Sequence, residues 1–194
     1  MCDSHDHGLT RRGLAGLALA GAASLALPPQ ARAAEVVLDA LCLMCIDYRL
    51  PSASVGAFDM APVPRVWPGP GKKKYDLVAL AGASLAAASE RSFLPTVAGF
   101  WQQLGAAYTL HKVRKLIVMD HLGCGAFNVE FNGGRKPPLP YKQEYDLHLK
   151  VMKHLKQVLP ERAAGAGAPS GLPVEFWIFM DPDAVSPKPT KIDL

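Results

Sequence analysis

The clearest structural signal in the chain is Lys115-Leu116-Ile117-Val118-Met119-Asp120-His121-Leu122-Gly123-Cys124-Gly125. Residues 116–119 are continuously apolar, which is typical of a strand buried on both faces of a parallel sheet. In open sheets of this kind, ligands collect at the carboxyl ends of the strands. We therefore predict a buried strand over residues 115–120 and a candidate site directly after it.

Further segments predict an alternation of strands and helices. Apolar runs at residues 36–46, 75–80 and 174–180 predict three more strands, and Ala81-Gly82-Ala83-Ser84 predicts a tight turn into a helix. Two longer helices are indicated by apolar residues that recur on one helical face. The first stripe is Leu94, Val97, Trp101, Leu104 and Tyr108, and the second is Tyr145, Leu149, Met152, Leu155 and Leu159. This order predicts an α/β fold with a mainly parallel β-sheet flanked by helices.

The connecting segments are rich in glycine, proline and alanine. Residues 50–74 predict a long Pro/Gly-rich loop, and residues 163–173 predict a flexible Gly/Ala linker. A loop as long as the first in a compact domain is usually functional or mobile. His148 and His154 lie on the second long helix, and we interpret both as ordinary surface or boundary histidines.

A second short motif, Cys45-Ile46-Asp47-Tyr48-Arg49, stands at the end of the first predicted strand. Cys45 at this strand end and His121 with Cys124 after the third strand supply two thiols and one imidazole. Thiolate and imidazole ligands suit zinc. A set of three protein ligands leaves a fourth position open, which is typical of catalytic rather than structural zinc sites. We therefore predict a Zn²⁺ site formed by Cys45, His121 and Cys124.

Asp47 and Arg49 are the candidate catalytic residues. They alternate with Cys45, so the three share a face wherever the chain is extended, and Arg49 can bind the Asp47 carboxylate with two hydrogen bonds. Beside a guanidinium and a metal ion, Asp47 stays ionised and can only accept a hydrogen bond. It would hold the proton of a zinc-bound hydroxide, which zinc makes available near neutral pH. A simpler alternative is that this pair only stabilises a loop.

Cys42-Leu43-Met44-Cys45 also fits the spacing of a redox CxxC pair. Residues three apart in a strand are separated by about 10 Å, whereas a disulfide needs Cα atoms about 4.4–6.8 Å apart. We therefore interpret Cys42 as a buried core thiol, and keep a CxxC redox protein as an alternative.

The composition and the N-terminal segment indicate which partners and which location to expect. The chain has 194 residues and a formal net charge of +4, which is too small to favour nucleic-acid binding. Thr10-Arg11-Arg12-Gly13-Leu14, the apolar run 14–27 and Ala31-Arg32-Ala33 predict a twin-arginine-type export signal over residues 1–33. The run is too short for a good membrane span. We expect one domain over residues 34–194, exported to the periplasm.

The two motifs, Cys45-Ile46-Asp47-Tyr48-Arg49 and His121-Leu122-Gly123-Cys124-Gly125-Ala126, resemble those of the β-class carbonic anhydrases. The resemblance spans about residues 36–185. It implies a zinc lyase (carbonate dehydratase) with zinc bound by Cys45, His121 and Cys124. It also implies reversible hydration of carbon dioxide to bicarbonate, and a homodimer or higher homo-oligomer.

One departure from the family bears on the substrate. The family often has Arg-Asn-Ala-Gly-Asn after its second strand, where this chain has Leu80-Ala81-Gly82-Ala83-Ser84. Some relatives on this fold hydrolyse carbonyl sulfide or carbon disulfide, so the resemblance also implies hydrolysis of either one at the same site as an alternative. A non-catalytic metal-binding or redox protein is the alternative from another class.

Overall fold

A computed structural model of the chain describes residues 37–47, 49–50, 75–88, 97–184 and 189–194. These residues form five strands and four helices. In chain order they are β1 (Ala40–Met44), β2 (Tyr75–Ala79), α1 (Ser84–Ala88), α2 (Val97–His111), β3 (Leu116–His121), α3 (Gly125–Asn132), α4 (Tyr141–Gly165), β4 (Val174–Phe179) and β5 (Pro189–Ile192).

The strands form one sheet in the order β2-β1-β3-β4-β5. Strands β1 to β4 pair in parallel, and only β5 is antiparallel to its neighbour. This arrangement confirms the prediction of a mainly parallel sheet flanked by helices. Every residue of β1 and β3 is buried, which explains the apolar sequence of β1 and of residues 116–119 in β3. Met44 pairs with Met119, so the residues that follow β1 and β3 meet at one edge of the sheet.

The helices cover this sheet through apolar faces that the sequence pattern predicts. Val97, Trp101 and Leu104 are buried on α2, and α4 buries Met152 and Leu155. Helix α1 contacts both α2 and α4, and it also contacts β3. The helical layer therefore brings α1 and α4 next to the strand that carries His121.

The structure corrects several segment boundaries. Strand β1 begins at Ala40 and ends at Met44, so the prediction of a strand over residues 36–46 is too long, and Cys45 is the first residue after it. Helix α4 continues to Gly165 and buries Ala163, so the start of the predicted 163–173 linker is packed helix. Helix α3 and strand β5 were not predicted.

Three predictions lie outside the described residues. They are the export signal over residues 1–33, the loop over residues 50–74 apart from Leu50, and Leu94 of the first helical stripe. Among the residues that the structure describes, no helix is both long and apolar enough to cross a membrane.

Candidate metal centre

Cys45, His121 and Cys124 converge at the carboxyl edge of the sheet. Cys45 follows β1, His121 ends β3, and Cys124 is the residue that precedes α3. All three side chains are buried, and one ligand atom from each lies within 4.8 Å of the others. The two sulfur atoms are 4.0 Å apart. Three donors of the types that zinc prefers therefore face a common point.

The hydrogen bonding of His121 prepares it for a metal ion. Its Nδ1 lies 3.0 Å from the carbonyl oxygen of Leu122. Because a carbonyl can only accept, Nδ1 carries a proton, which leaves Nε2 as the ring atom that could bind a metal ion. Nε2 is fully buried and has no hydrogen-bond partner among the described residues. A buried polar atom without a partner is costly, and a cation bound between Nε2 and the two thiols would satisfy it.

The two thiols share one environment that favours a thiolate. The hydrogen bond from Cys124 is the main reason that the pKa of Cys45 is lowered, with burial acting in the opposite direction. The same hydrogen bond, together with burial, raises the pKa of Cys124. The backbone N–H of Gly82 donates a further hydrogen bond of 3.3 Å to Cys45 Sγ. Metal ions bind thiolates rather than thiols, so Cys45 is prepared for this role.

Gly82 is a contributor to the site that the sequence interpretation missed. It has φ +76, in the left-handed region that L side chains rarely adopt. A Cβ atom there would also lie 3.1 Å from the Cβ of Ala126. Its place in the Gly/Ala turn predicted before α1 was the available signal, but the contact with Cys45 depends on tertiary structure.

Asp47 and Arg49 form the ion pair that their spacing predicts. Arg49 Nε donates to Asp47 Oδ1 at 2.8 Å, and Nη2 donates to Oδ2 at 2.9 Å. The backbone N–H of Arg49 also donates to Oδ1 at 3.0 Å. These hydrogen bonds, led by the one from the guanidinium, lower the pKa of Asp47. The carboxylate is therefore ionised at neutral pH, with Oδ2 3.7 Å from His121 Nε2.

Arg49 also connects this pair to two other segments. Its Nη2 donates to the carbonyl oxygen of Gly123 at 2.9 Å, and its Nη1 donates to Asp183 Oδ2 at 3.1 Å. Gly123 belongs to the turn between His121 and Cys124. The guanidinium orientation is thus fixed by Asp47 and by two groups that are distant from it in sequence.

The structure corrects the interpretation of His148 as a surface or boundary residue. Its side chain is fully buried, and Nδ1 lies 2.7 Å from Asp120 Oδ2. The signal was present in the sequence, because His148 lies one helical turn before Met152 on the buried face of α4. The position of a histidine on an apolar helical face does not identify its hydrogen-bond partner, so the contact of His148 with Asp120 could not be predicted. His154 is exposed, as predicted.

The fold and the site together define an α/β protein with a candidate three-ligand metal centre at the edge of a parallel sheet. The sequence matches no family model, and no curated protein matches it at a significant level.

Comparison with solved structures finds similar chains among carbonic anhydrases. A β-carbonic anhydrase of the fungal pathogen Aspergillus fumigatus is 15% identical with a TM-score of 0.45, covering 94% of this chain and 86% of its own. A carbonic anhydrase of Streptococcus mutans is 13% identical with a TM-score of 0.41, covering 95% and 100%. A β-carbonic anhydrase of Trichomonas vaginalis is 15% identical with a TM-score of 0.39, covering 95% and 98%. Sequence identities and TM-scores this low identify no substrate, so we infer the function from the residues of the site itself.

Proposed function

We propose that this protein is a zinc-dependent, carbonic anhydrase-like lyase that hydrates carbon dioxide reversibly to bicarbonate. The observation that carries the proposal is the convergence of Cys45, His121 and Cys124, whose ligand atoms lie within 4.8 Å of one another. The Nε2 of His121, which is buried beside the two thiols without a hydrogen-bond partner among the described residues, adds support for a metal ion. The ionised Asp47 beside this ligand set supports a hydration reaction.

Each residue has a separate role in this proposal. Cys45, His121 and Cys124 would hold the zinc ion, which when bound supplies a Lewis acid that lowers the pKa of water to about 7. Asp47 accepts a hydrogen bond at Oδ2 from the attacking water, and so directs the oxygen lone pair towards carbon dioxide. Arg49 keeps the carboxylate in this orientation through its two guanidinium contacts. The proton released by the reaction passes to buffer.

Carbonyl sulfide and carbon disulfide are the alternative substrates for the same residues. They are analogues in which sulfur replaces oxygen, and attack at the central carbon would use Asp47 and the metal ligands in the same way. We propose carbon dioxide first because both motifs resemble those of β-class carbonic anhydrases.

The redox alternative has less support. Cys42, Cys45 and Cys124 are all free thiols. Burial raises the pKa of Cys42 to about 12. A thiol of that pKa is a poor nucleophile for disulfide exchange at neutral pH, so Cys42 is suited to the core.

The deciding experiment combines metal analysis with stopped-flow hydration of carbon dioxide on zinc-loaded protein, with carbonyl sulfide and carbon disulfide assayed in parallel. We expect about one zinc per chain and turnover of carbon dioxide, whereas turnover of only a sulfur analogue would favour the alternative. Cys45→Ser should lose zinc. Asp47→Asn should keep zinc but lose turnover by about 10²–10³-fold, the effect of removing one transition-state hydrogen bond in a shielded site.

Asp146→Asn is the matched control for the charge change, because Asp146 is exposed on α4. It should retain both zinc and turnover. Full zinc content in Cys45→Ser would contradict the ligand assignment. Wild-type turnover of the true substrate in Asp47→Asn would show that the Asp47–Arg49 pair only stabilises its loop.

We also propose that residues 1–33 direct export to the periplasm by the twin-arginine route, on the basis of Arg11, Arg12 and the apolar run that follows. Fusion of this segment to a reporter should export it, and replacing both arginines by lysine should retain the reporter in the cytoplasm. Export that is unchanged by the double replacement would contradict the proposal.

We propose a homodimer or higher homo-oligomer, as the resemblance to the β class implies. Analytical ultracentrifugation of the purified chain tests this directly, and a monomer at micromolar concentration would contradict it.

A further inference from the structure

We propose that four buried polar side chains, Ser84, Asp120, Glu144 and His148, form a positioning cluster that holds the three ligand segments in place before a metal ion binds. The inference rests on the metal site of the proposed function, and concerns residues that are not ligands. All four residues are at most 3% exposed. Buried polar groups are usually hydrogen-bonded. The hydrogen bonds of this cluster connect it to the segments that carry His121, Cys124 and Cys45.

The connection to His121 runs through the residue before it. Asp120 Oδ1 accepts the backbone N–H of Ser84 at 2.9 Å, and Oδ2 accepts the Ser84 hydroxyl. Oδ2 also receives the hydrogen bond from His148 Nδ1 at 2.7 Å. These contacts come from α1 and α4, so two helices fix the end of β3 at the residue before His121.

The connection to Cys124 is direct. Glu144 Oε2 accepts the backbone N–H of Gly123 at 2.9 Å, and Oε1 accepts that of Cys124 at 2.7 Å. Gly123 has φ +68, so the turn takes a left-handed conformation at this point. One carboxylate from the first turn of α4 therefore holds both amides of the turn that directs Cys124 towards the other ligands. Hydrogen bonds to an ionised acceptor are stronger than neutral ones.

The connection to Cys45 passes through the turn before α1. Ser84 is the first residue of α1, and Asp120 anchors its backbone N–H and its hydroxyl. Two residues earlier, the N–H of Gly82 donates to Cys45 Sγ at 3.3 Å. Anchoring Ser84 thus fixes the direction in which the Gly82 N–H points.

His148 lies between the two carboxylates. Its Nδ1 is hydrogen-bonded to Asp120 Oδ2, whereas its Nε2 has no hydrogen-bond partner among the described residues and lies 3.6 Å from Glu144 Oε1. Its ring packs on Phe127, with ring centroids 3.6 Å apart. Burial lowers the pKa of His148, but the charges of Asp120 and Glu144 outweigh this and raise the pKa to about 9. The imidazolium therefore offsets two buried negative charges that would otherwise repel each other.

The test is the affinity for Zn²⁺, measured on the metal-free full-length protein by competition with a chromophoric chelator. The variants are Ser84→Ala, Glu144→Gln and His148→Gln. We expect each to weaken zinc binding by about 10–100-fold, the usual effect of removing a group that orients a metal ligand. The thiolate-to-metal absorption band of the Co²⁺-loaded variants should remain, because the ligands themselves are unchanged.

Met152→Ala is the matched control. Met152 is fully buried one turn further along α4, and its replacement removes packing but none of the hydrogen bonds of the cluster. It should lower the unfolding temperature and leave the zinc affinity unchanged. Ser84→Ala removes only one hydroxyl and is the mildest of the three changes. If circular dichroism shows that His148→Gln does not fold, the zinc affinity of Ser84→Ala still tests the proposal.

The outcomes separate this proposal from the proposed function. Tight zinc binding by the wild-type protein with affinities of the three variants within about twofold of it would overturn the positioning role alone. An equal loss of affinity in Met152→Ala would also overturn it, because the effect would then follow from general destabilisation. A wild-type protein that binds no zinc would overturn the metal site itself.

Discussion

Replacing Gly105 by alanine is expected to force α2 away from the segment that follows α4. Gly105 is buried in the middle of α2. A Cβ atom there would lie 2.1 Å from the carbonyl oxygen of Ala166 and 3.2 Å from its carbonyl carbon. Non-bonded carbon atoms normally approach to about 3.5–4.0 Å. Because the obstruction is backbone and not the end of a flexible side chain, one of the two segments must move.

Two opposing effects set the magnitude. Alanine in place of glycine stabilises a helix interior by about 1 kcal/mol. Overpacking a close contact typically costs about 1–3 kcal/mol, occasionally more, and the overlap with the Ala166 backbone places Gly105 at the upper end. We therefore expect the free energy of unfolding to fall by about 2 kcal/mol. For a chain of this size, that corresponds to an unfolding temperature lower by roughly 4–8 °C.

Gly99→Ala provides the matched control on the same helix. Gly99 is exposed, and within the part of the chain that the structure describes no heavy atom outside the helix lies within 4 Å of a Cβ built there. Thermal unfolding followed by circular dichroism should therefore show a small gain in stability, up to about 1 kcal/mol. If Gly105→Ala were as stable as Gly99→Ala, the close approach of α2 to Ala166 would be wrong.

The remaining predictions concern the site. Cys42→Ala should keep zinc and turnover while losing about 1 kcal/mol of stability from lost packing, and a Cys42–Cys45 disulfide in the active protein, seen by mass spectrometry, would contradict this. Arg49→Ala should keep zinc by metal analysis but lose most turnover, because Asp47 is no longer held; unchanged turnover would contradict its orienting role. The raised pKa of His148 means that its contribution to stability is complete below pH 6.5 and is lost as the pH rises through about 9. The difference in unfolding free energy between wild type and His148→Gln should shrink over this range, and a constant difference would argue against a buried imidazolium.

The sequence alone was sufficient where the signal is local. The continuous apolar run of β3 and the periodic faces of α2 and α4 are set by burial of neighbouring residues, so they can be read directly. The parallel topology then places Cys45 and His121 at the same edge of the sheet, because both lie at the carboxyl ends of parallel strands. Local patterns failed for β5, a four-residue edge strand with exposed central residues that bury no apolar stripe.

Tertiary structure alone decided which groups support the ligands. Glu144 accepts the amide of Cys124 across 20 positions, and Ser84 binds Asp120 across 36. The sequence around each of these residues shows no pattern that identifies its partner, because a hydrogen bond between distant segments produces no periodicity in either segment. The sequence motifs therefore determine the kinds of candidate ligand atom, whereas the hydrogen bonds that hold their segments come from two helices that meet the end of β3.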